Sequence, residues 1–309
     1  MELRQVAYVV AAVDHGGFTR AAACIPVSQP SLSAGIRSLE RELGVDLFAR
    51  IGRGVRLTAA GEAFLGPARQ ILRDADTATE AVAAVAGLHA GHLDIVALPT
   101  LAIEPLVDLL ATFHEAHPEV RVRVTDPQSA GDASAAVRTG AAEIGLVELP
   151  AGADLVEVAL SDQEVLAVQP PESDHRRGRV ATRRLPVRRL AGAAFVATPP
   201  GTSMRALIDE ALDTAGVAAD VAVETAHREA LLPLVMAGAG TAFLPEPMAR
   251  RAAEAGAVVS KLDPPIVRSV GLVHRSGPLS PAAAAFVASA TAAPAQAGGA
   301  GGGRARRSR

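Results

Sequence analysis

The residues best suited to molecular recognition stand at the start of one expected helix, "VSQPSLSAGIRSLERELG", residues 27–44. Gln29, Ser31 and Ser33 present an amide and two hydroxyls. A glutamine amide donates to and accepts from an adenine edge, and a serine hydroxyl serves several bases. Pro30 costs nothing in the first turn, where its missing N–H has no intrahelical partner. Arg37 and Arg50 suit phosphate oxygens, and Arg53, between Gly52 and Gly54, suits a phosphate or an A·T-rich minor groove. Leu32, Ile36, Leu39 and Leu43 form the opposite, apolar face at spacings of four, three and four.

A second set of groups suits a small anion. Thr100, Ser129, Thr202 and His227 each follow an expected strand, and the hydroxyls stand at helix starts. In an open α/β sheet, ligands bind beyond the carboxyl ends of strands, where helix N–H groups favour a carboxylate. Each hydroxyl also fits an ordinary helix cap. Glu148, near the expected hinge, reads as structural. Bond-making chemistry finds no set of residues. "HAGH" (89–92) and "HEAH" (114–117) have metal-like spacing but no Cys or acidic partners. HExxH, GxSxG and GxGxxG are absent, and no metal or cofactor is expected. Cys24, the one cysteine, forms no intramolecular disulfide, excludes a disulfide-based peroxide sensor and is expected to pack as a small apolar group.

The elements that must hold these groups follow from periodicity. Leu3, Val6, Val9 or Val10, and Val13 predict a first helix, stopped by Gly16-Gly17. Thr19 is expected to cap a short second helix, and Ser28 a third that ends at Gly44. Strand-like runs on either side of residues 52–54 predict a hairpin. This order is that of a helix-turn-helix with a wing, whose third helix enters a major groove. Thr58 then caps a long helix to about residue 86, with a kink expected at Pro67. Phe64, Ala68, Ile71, Ala75, Ala78, Val82 and Val85 form a four-three seam of the coiled-coil kind. With no nearby segment to cover it, this seam is expected to lie between chains. Gly87 and Gly91 bracket a hinge. Beyond it strands alternate with helices, including one over 101–116, which implies parallel sheets in two lobes.

The totals agree with a soluble, multidomain chain. It has 309 residues, 49% hydrophobic and 20% charged, with a net charge of −3. Residues 1–57 nevertheless hold seven arginines against five acids. With no Trp and one Tyr, a stacking platform for single strands is not expected. No apolar run reaches membrane-spanning length, and the start lacks the basic region of a signal peptide.

The stretch "GGFTRAAACIPVSQPSLSAGIRSLERELGVDLFARIGRGVRLTAAGEAFL" resembles the DNA-binding domain of LysR-type transcriptional regulators. "FHEAHPEVRVRV" and "LVMAGAGTAFLPE" resemble effector-domain segments of the same family. The resemblance implies an α+β multidomain protein: a winged helix-turn-helix over 1–58, a linker helix over 59–87 and an effector domain over 88–292. That domain would resemble type 2 periplasmic binding proteins, with one lobe from about 92–161 plus 267–290 and the other from 162–266. A disordered basic tail, 293–309, would follow. The resemblance also implies a cytoplasmic bacterial regulator, a homodimer or homotetramer, with double-stranded DNA, a small-molecule effector and RNA polymerase as partners and no membrane. Gln29, Pro30, Ser31 and Ser33 match the groove-facing start, Arg50 the residue after the Leu-Phe pair, and Arg53 and Arg56 the wing. Ala34-Gly35 stands where many relatives carry a basic or amide residue, which puts one DNA contact in question. The alternatives from other classes are an α/β enzyme with an attached DNA-binding module and a purely architectural DNA-binding protein.

Overall fold

A computed structural model describes residues 1–51, 54–85, 91–127, 129–171 and 180–292. The expected wing tip at Arg53, the hinge glycine Gly87 and the tail therefore lie outside the described residues. The N-terminal domain consists of α1 (Leu3–Asp14), α2 (Phe18–Cys24), α3 (Gln29–Leu43) and a hairpin of β1 (Phe48–Ile51) and β2 (Gly54–Leu57). Val9 and Ala12 of α1, Ala21 of α2, and Leu32, Ile36 and Leu39 of α3 meet with Leu47 in one core. Each buried leucine or isoleucine there stabilises the domain by about 1.5–3 kcal/mol. Phe18 and Phe48 close its edge in a T-shaped pair, ring centroids 5.2 Å apart.

Three local expectations change. Gly17, not Thr19, is the N-cap of α2, so Thr19 lies within the helix. Leu3 is half exposed, and Val6, Val9 and Ala12 carry the buried face of α1. Cys24 is exposed. It is the last residue of α2, where the chain turns away, and Ala21 fills the contact instead.

The long helix α4 (Ala59–Val85) starts where Thr58 Oγ1 accepts from Gly61 N at 3.1 Å and donates to Asp46 O at 2.7 Å. Ala60 and Phe64 pack on the N-terminal core, Ala68 is fully buried, and Arg69 pairs with Asp14 of α1. The first half of the four-three seam is thus covered within the chain, which corrects the expectation of a wholly intermolecular seam. The physical reason is that α1 lies alongside α4. Further along, Val82 is 72% exposed.

The rest of the chain builds two lobes. The first has β3 (Gly91–Ala97), α5 (Pro99–Ile103), α6 (Leu106–Ala116), β4 (Val120–Thr125), α7 (Ala130–Arg138) and β5 (Ile144–Leu149). The helix expected over 101–116 is broken at Glu104-Pro105, because proline disfavours a helical residue before it. The long strand β6 (Leu155–Gln169) carries the chain into the second lobe. That lobe contains β7 (Val180–Pro186), β8 (Ala194–Ala197), α8 (Ser203–Thr214), β9 (Asp220–Glu224), α9 (Leu231–Met236), β10 (Ala242–Pro245), α10 (Glu246–Ala255) and β11 (Val258–Asp263). Strand β12 (Ile266–Arg275) returns to the first lobe, where α11 (Pro281–Ala292) packs Phe286 edge-to-face on Phe113.

The main sheet runs β4-β3-β5-β12-β6-β11-β7, with β10 also on β6. It is mixed, not purely parallel as the alternation of elements suggested. β3 pairs in parallel with β4 and β5, whereas β12 pairs antiparallel with both β5 and β6. The two crossover strands cause the difference. They pair from Ile266↔Val165 to Arg275↔Leu155, with a bulge between Val270 and Gly271. Ser161, Asp162 and Gln163 interrupt the apolar pattern of β6. In the fold they lie mid-strand between the lobes.

Candidate functional site

The start of α3 is built locally. Ser28 caps it by accepting from Ser31 N at 3.3 Å, and the Ser28 and Ser31 hydroxyls are 2.8 Å apart. Gln29, Pro30 and Ser31 are exposed on the first turn, with Arg37 exposed two turns on. Ser33 is only 8% exposed and so leaves this face, contrary to the sequence expectation. At about 100° per residue it falls beside Ile36 on the flank of the buried stripe. Gly44 ends the helix with φ 72°, a left-handed conformation suited to glycine.

Gly35 has a structural cause. A Cβ there would lie 2.8 Å from Tyr8 Cδ2 and 2.9 Å from Cε2. The glycine admits the Tyr8 ring of α1 against α3, so its close approach is made inside the domain. The side chain missing at this position would point at Tyr8, and Ala34 is the exposed member of the pair.

The wing is fastened to the same helix. Glu40 Oε1 accepts from Leu47 N at 2.8 Å and from Phe48 N at 3.1 Å, setting where β1 begins relative to α3. Arg56 of β2 is exposed, opposite Ala49 in the hairpin register. Arg50 lies in β1, opposite Val55.

Between the lobes lies a buried polar junction centred on Arg268 of β12, whose side chain is 2% exposed. Its Nη1 donates to Thr100 Oγ1 at 3.0 Å and to Glu148 Oε1 at 2.8 Å. Its Nε and Nη2 donate to Gln163 Oε1 at 3.1 Å and 2.7 Å. Gln163 faces Arg268 directly across the two crossover strands. Ser203, the first residue of α8 in the second lobe, donates to Glu148 Oε1 at 3.3 Å. Burial pushes the Arg268 guanidinium below the ordinary arginine range, and Glu148 pulls it back. A charge so placed is tolerable only because it is paired and hydrogen-bonded.

Of the four hydroxyl and imidazole candidates, the structure brings only Thr100 into this junction. The Ser129 hydroxyl caps α7, accepting from Asp132 N at 3.1 Å and lying 2.8 Å from Asp132 Oδ2. Thr202 donates to Pro199 O at 3.0 Å, with Thr198 Oγ1 2.7 Å away. His227 is 80% exposed beside Glu229. His117 of the second histidine pair lies against Phe113, ring centroids 4.9 Å apart. An apolar pocket of ≈ 410 Å³, counting its open mouth, adjoins Thr198 and Arg205 and is lined by Phe195, Met204 and Phe243.

Sequence reasoning missed Arg268 and Gln163, whereas Ser203 was placed with Thr202 at the start of the helix across the cleft. One signal was available: Ile266, Arg268 and Val270 are buried while Val267 and Ser269 are exposed, a period of two. An arginine on the apolar face of a strand requires a buried partner. The partner was not legible, because Gln163 and Glu148 are 105 and 120 residues away in sequence.

Comparison with known proteins gives a consistent result over the whole chain. Residues 3–62 match the family model "Bacterial regulatory helix-turn-helix protein, lysR family", and residues 86–295 match "LysR substrate binding domain". The chain is 30% identical over 284 residues to the DNA-binding transcriptional dual regulator OxyR of Escherichia coli (strain K12), covering 90% of each. It is 40% identical over 125 residues to the HTH-type transcriptional regulator TfdT of Cupriavidus pinatubonensis, a match spanning 40% of this chain and 55% of that protein. Among solved structures, a full-length OxyR variant from Pseudomonas aeruginosa superposes with a TM-score of 0.75 at 26% identity, covering 94% of both chains. Full-length CbnR complexed with its target DNA shares the fold, with a TM-score of 0.61 at 23% identity over 94% of this chain and 99% of that one.

Proposed function

This chain belongs to the LysR family of transcriptional regulators, and from that premise we propose that it reads an operator through α3 and the wing and is controlled by a small polar molecule in the Arg268 cleft. It is a DNA-binding regulator and not an enzyme. The reader is Gln29, Pro30, Ser31 and Arg37, with Arg50, Arg53 and Arg56 on phosphates or the minor groove. The sensor is the junction of Thr100, Glu148, Gln163, Ser203 and Arg268.

The single observation that carries the sensor is that Arg268 bonds to groups of the first lobe and the crossover strands, while Glu148 also accepts from Ser203 of the second lobe. A ligand that exchanges with any of these groups changes the relation of the lobes. Glu148 already occupies Arg268, so an anionic effector must displace a resident carboxylate, whereas a neutral hydrogen-bonding effector need not. The position of Thr100 favours it over Ser129, Thr202 and His227, whose polar groups have other partners or face solvent. The exposed seam residue Val82 of α4 supports a homodimer or homotetramer. No described helix is long and apolar enough to cross a membrane. We assign the protein to the cytoplasm, with RNA polymerase as its downstream partner.

The test is a footprint of the full-length protein on DNA upstream of its own gene, with and without metabolites of the neighbouring operon. Two protected stretches on one face of the duplex, shifting with one metabolite and with transcription, are expected. Protection and transcription indifferent to every metabolite would sink the sensor; no protection at modest salt would sink the reader.

A further inference from the structure

An open groove continues the reader face of α3 towards the end of the helix. It runs from Ala34 past Arg37 and Arg41 to Val45 and Asp46, and holds ≈ 1110 Å³ counting its mouth. We infer that this groove seats one sugar-phosphate strand of the operator duplex, with Arg37 and Arg41 on separate phosphates. The inference rests on the reader proposed above and adds Arg41 to it.

Both guanidiniums are open to an outside acceptor. Arg37 and Arg41 are exposed, and no ion pair joins either to a carboxylate among the described residues. The acids of the same helix are engaged elsewhere. Glu40 Oε1 accepts from Leu47 N and Phe48 N, and Glu42 accepts from the Met1 ammonium at 2.5 Å and 2.7 Å, one bond through each oxygen. Arg41 Nε donates to Arg37 O at 3.3 Å. That bond anchors the Arg41 stem along α3 and leaves its two Nη groups for an anion. A basic residue in a last turn also complements the helix dipole, a role that asks nothing of DNA.

Spacing and position select the anion. Four residues at about 1.5 Å each set Arg37 and Arg41 about 6 Å apart along the helix axis. A DNA strand carries one phosphate per about 3.4 Å of duplex axis, and its winding spaces successive phosphates wider than that. A groove this open suits a chain of phosphates better than one small ion. It is also continuous with the reader: Ala34 lies one turn beyond Pro30 on the same helix face, and Asp46 leads into β1 of the wing. A duplex held by both Gln29 and the wing therefore passes over it. Asp46 and the negative end of the α3 dipole stand at its far end, so the run of phosphate contacts stops at two.

The test measures the affinity of the full-length chain for the footprinted DNA upstream of its own gene, at salt from about 50 to 200 mM. Arg41→Gln should reduce the salt slope by about 0.9 for each DNA-binding domain seated, and Arg37→Gln with Arg41→Gln by about twice that. The loss should be alike on operator variants and on an unrelated duplex, since phosphates carry no sequence information. Arg41→Lys keeps a point charge for a phosphate and should keep the slope, although it has no Nε to bond Arg37 O. Both side chains are exposed, so the unfolding midpoint should not move. An unmoved slope in Arg41→Gln, an equal loss in Arg41→Lys, or a double variant no weaker than Arg41→Gln alone overturns the seat. Unchanged affinity with lost transcription also overturns it, and would give the groove to a protein partner. A wild-type chain without affinity for duplex DNA sinks the reader together with the seat.

Discussion

The start of α3 and the Arg268 junction are both polar, and they are built in opposite ways. On α3, Gln29 and Ser31 are exposed, and Ser31 is held by the Ser28 cap three residues away. At the junction, Arg268 is buried and its partners come from α5, β5 and β6. A reader must offer its groups to a partner that supplies the complementary hydrogen bonds, so exposure is its working state. On the proposed reading the junction is a sensor that must change state when a ligand arrives, so its groups satisfy one another until something exchanges with them. Loss of a group should therefore cost affinity in the first region and stability in the second.

The largest effect tests that contrast. Arg268→Ala leaves Glu148 and Gln163 without their partner, and we expect about 3–5 kcal/mol of destabilisation in urea unfolding. A loss below 1 kcal/mol would mean that water replaces the guanidinium and that the junction is not a buried network. Next is Gly35→Ala, where the new Cβ meets the Tyr8 ring at 2.8 Å. Overpacking of about 1–3 kcal/mol should exceed the gain of about 1 kcal/mol in helix propensity. Tyr8→Leu in the same chain should recover part of it, measured by thermal midpoint; no recovery would refute the contact.

The reader should behave differently. Gln29→Ala should lose about 1–3 kcal/mol of discrimination at one base pair and little stability, read from competition between operator variants. Arg56→Ala should weaken all sequences alike and reduce the salt slope by about one unit. A sequence-dependent loss at Arg56 would move it from phosphate to base contact. The smallest effect concerns Glu164, which accepts from Lys261 at 2.8 Å and Arg184 at 2.5 Å. Burial pushes its carboxyl up, but these two cations outweigh that and hold it below the ordinary glutamate value of 4.5. A depressed folded value means that stability is present above about pH 4.5 and is lost as the pH falls through the folded value. Glu164→Gln should remove about 1 kcal/mol of that acid dependence. An unchanged acid-unfolding curve would show that the pair contributes nothing measurable.

The sequence by itself determined what depends on residues close together in the chain. The Ser28 and Ser129 caps, the α3 stripe, Gly44, Thr58 and the alternation of strands and helices rest on backbone geometry and a period of 3.6 or 2, both visible in a short window. So does the exposure of Gln29 and Ser31. Only the tertiary structure decided what depends on distant segments. The tyrosine that Gly35 accommodates, the cover of Phe64 by α1, and the gathering of Thr100, Glu148 and Gln163 around Arg268 belong to this second kind. The physical reason is that a buried charge is stable only with partners, and nothing in the local pattern says which strand will bring them. Here β6 and β12, about a hundred residues apart in the chain, pair antiparallel and set Gln163 opposite Arg268.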